Sequence, residues 1–504
     1  VTAMRTPHVV VIGAGLSGLS AAARLRRTGV DVTIVESGSV AGGLVRTETI
    51  DGHRFDTGAT VLTMPGLLAD VLADVGVDEE TARERLALAP VDPGYVMNYA
   101  DGATLSLPHD ATAIPDAVAD TFGPRSGRQT AELLTWLRRV YDAEFDVFID
   151  RNFDGLADLT DGRTRRAAAE LVRLRTLGGL TGAVGRFVTD ERLQRAFTFQ
   201  ALYAGVPPHR ARAIYAIIPD MDIGRGVWAP RGGMGEVGNV VASALVDAGV
   251  RIEFDTAATG FTTDSDRRIV AVETSNGPIP ADAVIATAER DAVARLTGED
   301  RGRRRLTYSP SAVVVHGVLP VGVTDAWRSG HHTLDFGRAW TTTFAEITGR
   351  RGSLMSDGSF LVTRAAVGDA DTFVTDGLES VSVLAPAPNL DSADLPWDVL
   401  ARPYVDEVLA TLAARGYPGI DSMRVLRIDH PRTWERAGLP AGTPFSAAHT
   451  LGQTGPLRTP NRWPTIDNLV LAGSATVPGV GIPPVLVSGG LAAARVTDLL
   501  RGDR

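Results

Sequence analysis

Residues 9–36, VVVIGAGLSGLSAAARLRRTGVDVTIVE, constrain the fold more than any other stretch of the chain. Residues 9–12 are apolar and β-branched, which reads as a buried parallel strand. Gly13, Ala14, Gly15, Leu16, Ser17 and Gly18 then form a G-x-G-x-x-G. In such a segment Gly13 permits the tight turn, Gly15 lets a pyrophosphate approach the backbone, and Gly18 lets helix and strand pack closely. Residues 20–27, rich in Ala, Leu and Arg, read as a helix whose N-terminus offers free N–H groups to phosphate. A second apolar strand, 32–35, ends in Glu36, about 20 residues past the glycines, where a carboxylate accepts hydrogen bonds from both ribose hydroxyls. That acid disfavours a 2′-phosphate, so NADP is not expected. The fold class that follows is α/β, with a Rossmann-type dinucleotide-binding domain.

A second glycine signature turns the expectation from NAD to FAD. Gly42-Gly43 lies just past the ribose acid, as in FAD proteins of the glutathione-reductase type, and Arg46 follows to neutralise the pyrophosphate. Residues 53–59, HRFDTGA, read as a short strand running into a glycine turn beside the cofactor. Residues 250–254 fit the third strand of the FAD sheet, with the backbone near Ala258 facing the adenine, and a β-meander follows. Near the other end, 465–474 reads TIDNLVLAGS: an apolar strand leading to Gly473 and Ser474. FAD enzymes usually place an aspartate at the latter position to hold the ribityl chain, and serine is a weaker acceptor. Gly481, Ile482 and Pro483 then precede a helix expected over 488–500, whose N-terminus favours negative charge on a reduced flavin.

Length allows two or three domains and a large core. The net charge of −10 argues against a nucleic-acid binder. With no cysteine there is no disulfide, thiolate metal site or cysteinyl flavin, and no metal is expected. All 50 residues counted as Lys or Arg are arginine, which removes Schiff-base chemistry, a P-loop lysine and a lysine–water pair beside a flavin. Residues 468–494 carry no charge, yet their prolines and glycines make a strand, a cofactor loop and a helix a better reading than one membrane span.

Between these ends, 66–90 is helical in pattern, and 95–99 and 104–107 flank Asp101-Gly102 as a hairpin. Residues 126–225 are mostly helical. Within them 163–186 carries Arg163, Arg165, Arg166, Arg173, Arg175 and Arg186 against the single acid Glu170, interleaved with leucines and valines. A membrane-surface patch and a solvated helix face are both open readings. A helix is expected over 405–414, with Pro403 as its start signal. The domain reading assigns 1–105, 226–300 and 440–504 to FAD, 301–439 with parts of 90–125 to substrate, and 126–225 to a helical insert forming a possible membrane contact and lid.

With both ends read, the chain resembles the bacterial phytoene desaturase (carotenoid desaturase) family of FAD-dependent oxidoreductases, which share the flavin amine-oxidase-like fold. The resemblance spans nearly the whole chain. It rests on the N-terminal signatures, FTFQALYAG at 197–205, GVWAPRGGM at 226–234, YSPSA at 308–312, HHT at 331–333, LAPAPNL at 384–390, AHTLGQ at 448–453 and residues 473–488. Departures are Arg46, placed three residues after Gly43, Ser474, and the Pro483-Pro484 pair. The resemblance implies a cytoplasmic enzyme held peripherally on the inner face of the membrane. It implies a hydrophobic polyprenoid substrate, hydride transfer to flavin N5, and oxygen or a quinone as electron acceptor. His449, His332 and Tyr203 match family positions, without a catalytic role following for any of them. A C30 or hydroxylated carotenoid substrate, an isomerase-type reaction, an amine or porphyrinogen oxidase and a prenyl-lipid carrier are the alternatives.

Overall fold

The computed structural model describes residues 5–153, 156–299, 306–349 and 351–502. The expected boundary at 300/301 lies outside them.

The first strand, His8–Ile12, sits at the centre of a five-stranded parallel sheet. Asp31–Val35 and Arg251–Glu253 extend it on one side, Ala283–Ala286 and Leu469–Leu471 on the other. Val9, Val10 and Val11 are fully buried, as both-face burial of a parallel strand requires. The helix Leu16–Arg27 covers one face and packs against Ile482–Arg501. The Ser20 hydroxyl donates to the Leu486 carbonyl at 2.7 Å across that contact. A meander of Ala258–Thr263, Ile269–Thr274 and Ile279–Pro280 shields the other face, with Ile269 and Val272 in its core.

A second, eight-stranded sheet runs Arg424–Asp429, Ser311–Pro320, Leu378–Ala387, Phe360–Thr363, His332–Phe336, Tyr95–Tyr99 and Thr104–Leu107, with Val374–Thr375 pairing off the path. It is antiparallel except where His332–Phe336 meets Tyr95–Tyr99. The 95–107 hairpin forms as expected, and its strands join this sheet rather than the parallel one. Helices Ile114–Phe122, Pro124–Glu144, Gly162–Arg173 and Glu191–Ala196 build a third body. Its core of Leu133, Trp136, Leu137 and Leu180 is continuous with Tyr95 and Met97 of the hairpin.

Three boundaries differ from the sequence reading. The 66–90 stretch is two helices, Gly66–Ala73 and Glu79–Leu86, because Asp78 caps the second by accepting from Thr81 N–H at 2.9 Å. Pro403 does not start its helix. Trp397–Ala414 runs through it, and the carbonyl its missing N–H would serve belongs to Val399, whose side is 76% exposed and wet. The last helix begins at Ile482 rather than 488, since prolines in a first turn lack only N–H groups that would be unpaired there. Among the described residues no helix is long and apolar enough to cross a membrane.

Candidate active site

A cavity of about 1310 Å³ begins at the nucleotide loop and runs to the second sheet and the helical body. Gly13, Gly15, Leu16, Ser17, Glu36, Gly42, Gly43 and Arg46 line its first end. Gly473, Ser474, Gly481, Ile482 and Pro483 line its flank. Of the expected site residues, three lie off the wall. Ala14 sits behind it and donates its N–H to Glu36 Oε2 at 2.8 Å. Gly18 packs: a Cβ there would stand 2.0 Å from the Gly13 carbonyl oxygen. Ala258 opens the meander and does not line the wall; Thr256, two residues earlier, donates its N–H to the Glu36 carbonyl at 2.8 Å.

The first end is built to take an anionic dinucleotide. Glu36 is held by Ala14 N–H and by Gly38 N–H, the latter on Oε1 at 2.8 Å. A carboxylate accepts about four hydrogen bonds, so capacity for ribose hydroxyls remains. The two glycine signatures interlock: Gly42 N–H donates to the Ala14 carbonyl at 2.9 Å, and a Cβ on Gly43, at φ +63°, would sit 2.9 Å from Gly15 Cα. No side chain caps the Leu16–Arg27 helix, so its first N–H groups face the cavity end. Arg46 Nε is buried and has no partner. An unpaired buried guanidinium donor beside a glycine cradle fits a pyrophosphate.

The flank is rigid. Gly473 N–H donates to Ser488 Oγ at 3.0 Å, and that hydroxyl donates to the Val477 carbonyl at 2.7 Å. Arg458 binds the Ser474 carbonyl at 2.6 Å and the Thr476 carbonyl at 2.8 Å. Burial draws its guanidinium down to about 10, against the pull of the Glu289 carboxylate, so it stays charged at neutral pH. The Ile482–Arg501 helix opens on the cavity with no side-chain cap at Gly481. Pro483 and Pro484 carry no N–H, and Val485 N–H is already on the Gly481 carbonyl at 3.0 Å, which leaves Ile482 N–H as the donor of that turn.

The far end is apolar, walled by Ile217, Ile218, Met221, Leu361 and Leu384. Tyr203 and His449 line it, whereas His332 is buried behind Tyr95, ring centroids 5.8 Å apart, outside the wall. Burial keeps both histidines neutral, His449 with help from the Arg458 charge and His332 with help from His331. His449 also positions the loop: its carbonyl accepts the Tyr215 hydroxyl at 2.5 Å.

Four acids on the wall escaped sequence reasoning. Burial raises the carboxyl of Glu144 well above its usual range, and Glu144 Oε2 has no partner. Burial raises Glu289 too, opposed by Ser446 and Arg458. Asp56 is pushed up to about 6 by burial, although the Thr47 hydroxyl and Met234 N–H donate to its Oδ1 at 2.6 and 2.8 Å. Asp222 is pushed up to about 7 by burial, opposed by hydrogen bonds from Tyr95 and Gln200. The available signal was two aspartates, Asp220 and Asp222, inside the apolar run 217–223.

Residues 16–497 match the family of flavin containing amine oxidoreductases. The chain is 43% identical to a phytoene dehydrogenase of Streptomyces griseus, over 97% of this chain and 95% of that protein. This chain belongs to the phytoene desaturase family of flavin-dependent oxidoreductases. A zeta-carotene-forming phytoene desaturase of Myxococcus xanthus is 29% identical over 97% of this chain and 93% of its own length. An oxidoreductase of Methanosarcina mazei shares the fold at a TM-score of 0.59 and 16% identity, over 97% of this chain and all of that one. As a member of the phytoene desaturase family, this chain is an FAD-dependent oxidoreductase acting on CH–CH groups. Its unpaired Arg46 donor, glycine cradle and uncapped helix ends are the donor set that such a cofactor needs.

Proposed function

We propose that this chain introduces conjugated double bonds into a linear C40 polyprenoid of the phytoene type. The observation that carries the reading is the continuity of one cavity from the glycine cradle to an apolar chamber. In this reading Gly13, Gly15, Gly42, Gly43 and Arg46 would hold the pyrophosphate, Glu36 would hold the ribose, and Ile482 N–H would donate to the flavin. Bound FAD supplies a two-electron acceptor for hydride from an allylic carbon. The chain's own part is to exclude water with its apolar wall and to keep the polyene beside that acceptor.

The substrate reaches this site from a bilayer. Leu177 and Leu451, 67% and 69% exposed, both line the cavity, and together with Leu457 they form a greasy rim. Beside it the Gly162–Arg173 helix exposes Arg163, Arg165, Arg166 and Val172, with Arg175 just beyond. Apolar side chains framed by arginines suit insertion into anionic lipid, with no spanning helix needed. A mouth seated on lipid also gives a membrane quinone the same route to the flavin, with oxygen as the other acceptor.

The test is anaerobic mixing of FAD-loaded protein with phytoene in anionic and in zwitterionic vesicles. Flavin bleaching with new polyene bands is expected, faster on anionic vesicles. A bound but unbleached flavin overturns the substrate assignment, and equal rates on the two lipids overturn the role of the arginine face.

A further inference from the structure

We propose that Asp222 is the proton acceptor of the desaturation, its Oδ2 taking the proton from the carbon next to the one that loses hydride. This deepens, and rests on, the desaturase reading above. Asp222 is 2% exposed and stands on the cavity wall beside Tyr203. Its Oδ1 accepts the Tyr95 hydroxyl at 2.7 Å, and its Oδ2 is buried with no partner. The Gln200 side chain faces the same carboxyl. The Gln200 amide nitrogen gives one N–H to the Ala196 carbonyl at 3.1 Å, and the Gln200 side chain favours the Asp222 anion, as the Tyr95 hydroxyl does. The carboxylate is held as an acceptor, with Oδ2 left unpaired for a proton.

The surroundings set no competing charge. Tyr203 lies 3.4 Å from Tyr95, hydroxyl to hydroxyl, and burial holds both phenols neutral. His331 and His332, behind Tyr95, are neutral for the same reason. Asp220, on the same helix, turns away to Arg138 at 3.3 Å and Arg225 at 3.1 Å. The other acids on the wall are less suited. Glu144 has its carboxyl raised well above its usual range by burial alone, and no hydrogen bond to Oε2 favours its anion. Glu289 answers the buried Arg458 charge, and Asp56 ties Thr47 to Met234. Burial pushes the Asp222 carboxyl up to about 7, so anion and acid are both within reach near neutral pH.

The step balances as follows. One allylic C–H bond breaks with both electrons leaving as hydride to the oxidised flavin. The neighbouring C–H bond gives its proton to Asp222 Oδ2, and its electron pair becomes the new π bond.

Two measurements test this. In resting protein, aspartate-labelled ¹³C NMR compared between wild type and Asp222→Asn should resolve one carboxyl titrating near pH 7. In anaerobic single turnovers with phytoene vesicles, wild-type bleaching should rise through that same pH. Asp222→Asn should keep its flavin and its vesicle binding, lose the inflection, and bleach roughly 100-fold more slowly. Asp222→Glu should restore part of the rate and an inflection. Tyr95→Phe, which removes a hydrogen bond to the anion, should move the inflection to higher pH. If Asp222→Asn does not fold, an unmoved inflection in Tyr95→Phe overturns the proposal. Bleaching by Asp222→Asn within about tenfold of wild type overturns it as well, as does the absence of a carboxyl titrating near 7. A wild-type flavin that never bleaches, with the carboxyl titrating as expected, sinks the desaturase reading itself and this assignment with it.

Discussion

Glu36 works through both of its oxygens, and the protein uses part of each for itself. Ala14 N–H and Gly38 N–H shape the loop by binding the carboxylate, and the remaining acceptor capacity is turned to the cavity. Glu36→Arg removes both acceptors, each unmade buried bond costing about 1–3 kcal/mol, and sets a donor where ribose hydroxyls donate. The variant is expected to purify without its flavin absorption bands. Stoichiometric flavin in it would show that Glu36 does not hold the ribose. Glu36 was legible in the sequence because its partners lie at a fixed local spacing: strand, loop, helix, strand. Asp222 was not, because its partner Tyr95 is 127 positions away, and only the second sheet brings the two together. The same contrast separates Tyr203, found by its motif, from His332, whose motif gave no sign that it faces Tyr95 rather than the cavity.

At the scale of elements, the crossing of Leu16–Arg27 with Ile482–Arg501 decides how close the last helix comes to the cofactor loop. A Cβ on Gly489 would stand 2.3 Å from the Ser17 carbonyl oxygen and 2.9 Å from Ala21 N, both backbone atoms of the facing helix. One residue on, a Cβ on Gly490 meets only the end of the Arg24 side chain, at 3.5 Å. Gly489→Ala is expected to destabilise by about 1–3 kcal/mol through overpacking. Gly490→Ala should stabilise by up to about 1 kcal/mol through helix propensity. Thermal denaturation of the FAD-loaded proteins checks the pair: melting temperatures that move in the same direction would contradict the crossing. Periodicity and turn residues located most elements, but they misread prolines twice. Pro403 and the Pro483-Pro484 pair both looked like boundaries from sequence. The first is absorbed on a wet helix face, and the second inside a first turn, where N–H groups are dispensable.

For the whole molecule, Asp56 joins parts that are far apart in sequence. It sits in the His53–Gly58 strand and receives Met234 N–H, 178 positions on, at the start of the Gly235–Asp247 helix. Burial raises its carboxyl from 3.8 to about 6. The folded state therefore holds this proton more tightly than the unfolded chain. The stability it contributes is fully present below pH 4 and is lost as pH rises through about 6. Over that window the loss amounts to about 3 kcal/mol. Asp56→Asn cannot titrate. The difference in melting temperature between wild type and Asp56→Asn, followed across the window, should shift steadily against the wild type as pH rises. A flat difference would show that Asp56 is not buried as described.

The five-stranded sheet has a consequence in time. Its central strand is made first, and its edge strand Leu469–Leu471 is among the last segments made. Ser20 and Leu486, which bind one another, are 466 positions apart. At ribosomal speeds of about 5–20 residues per second, the second partner emerges roughly 20–90 s after the first. Early in that interval the Val9, Val10 and Val11 strand lacks Ala283–Ala286 on one edge, and afterwards Ala283–Ala286, itself buried, lacks Leu469–Leu471. Production of this protein is therefore expected to depend on chaperones that shelter a nascent chain, and to improve when translation of its middle is fast.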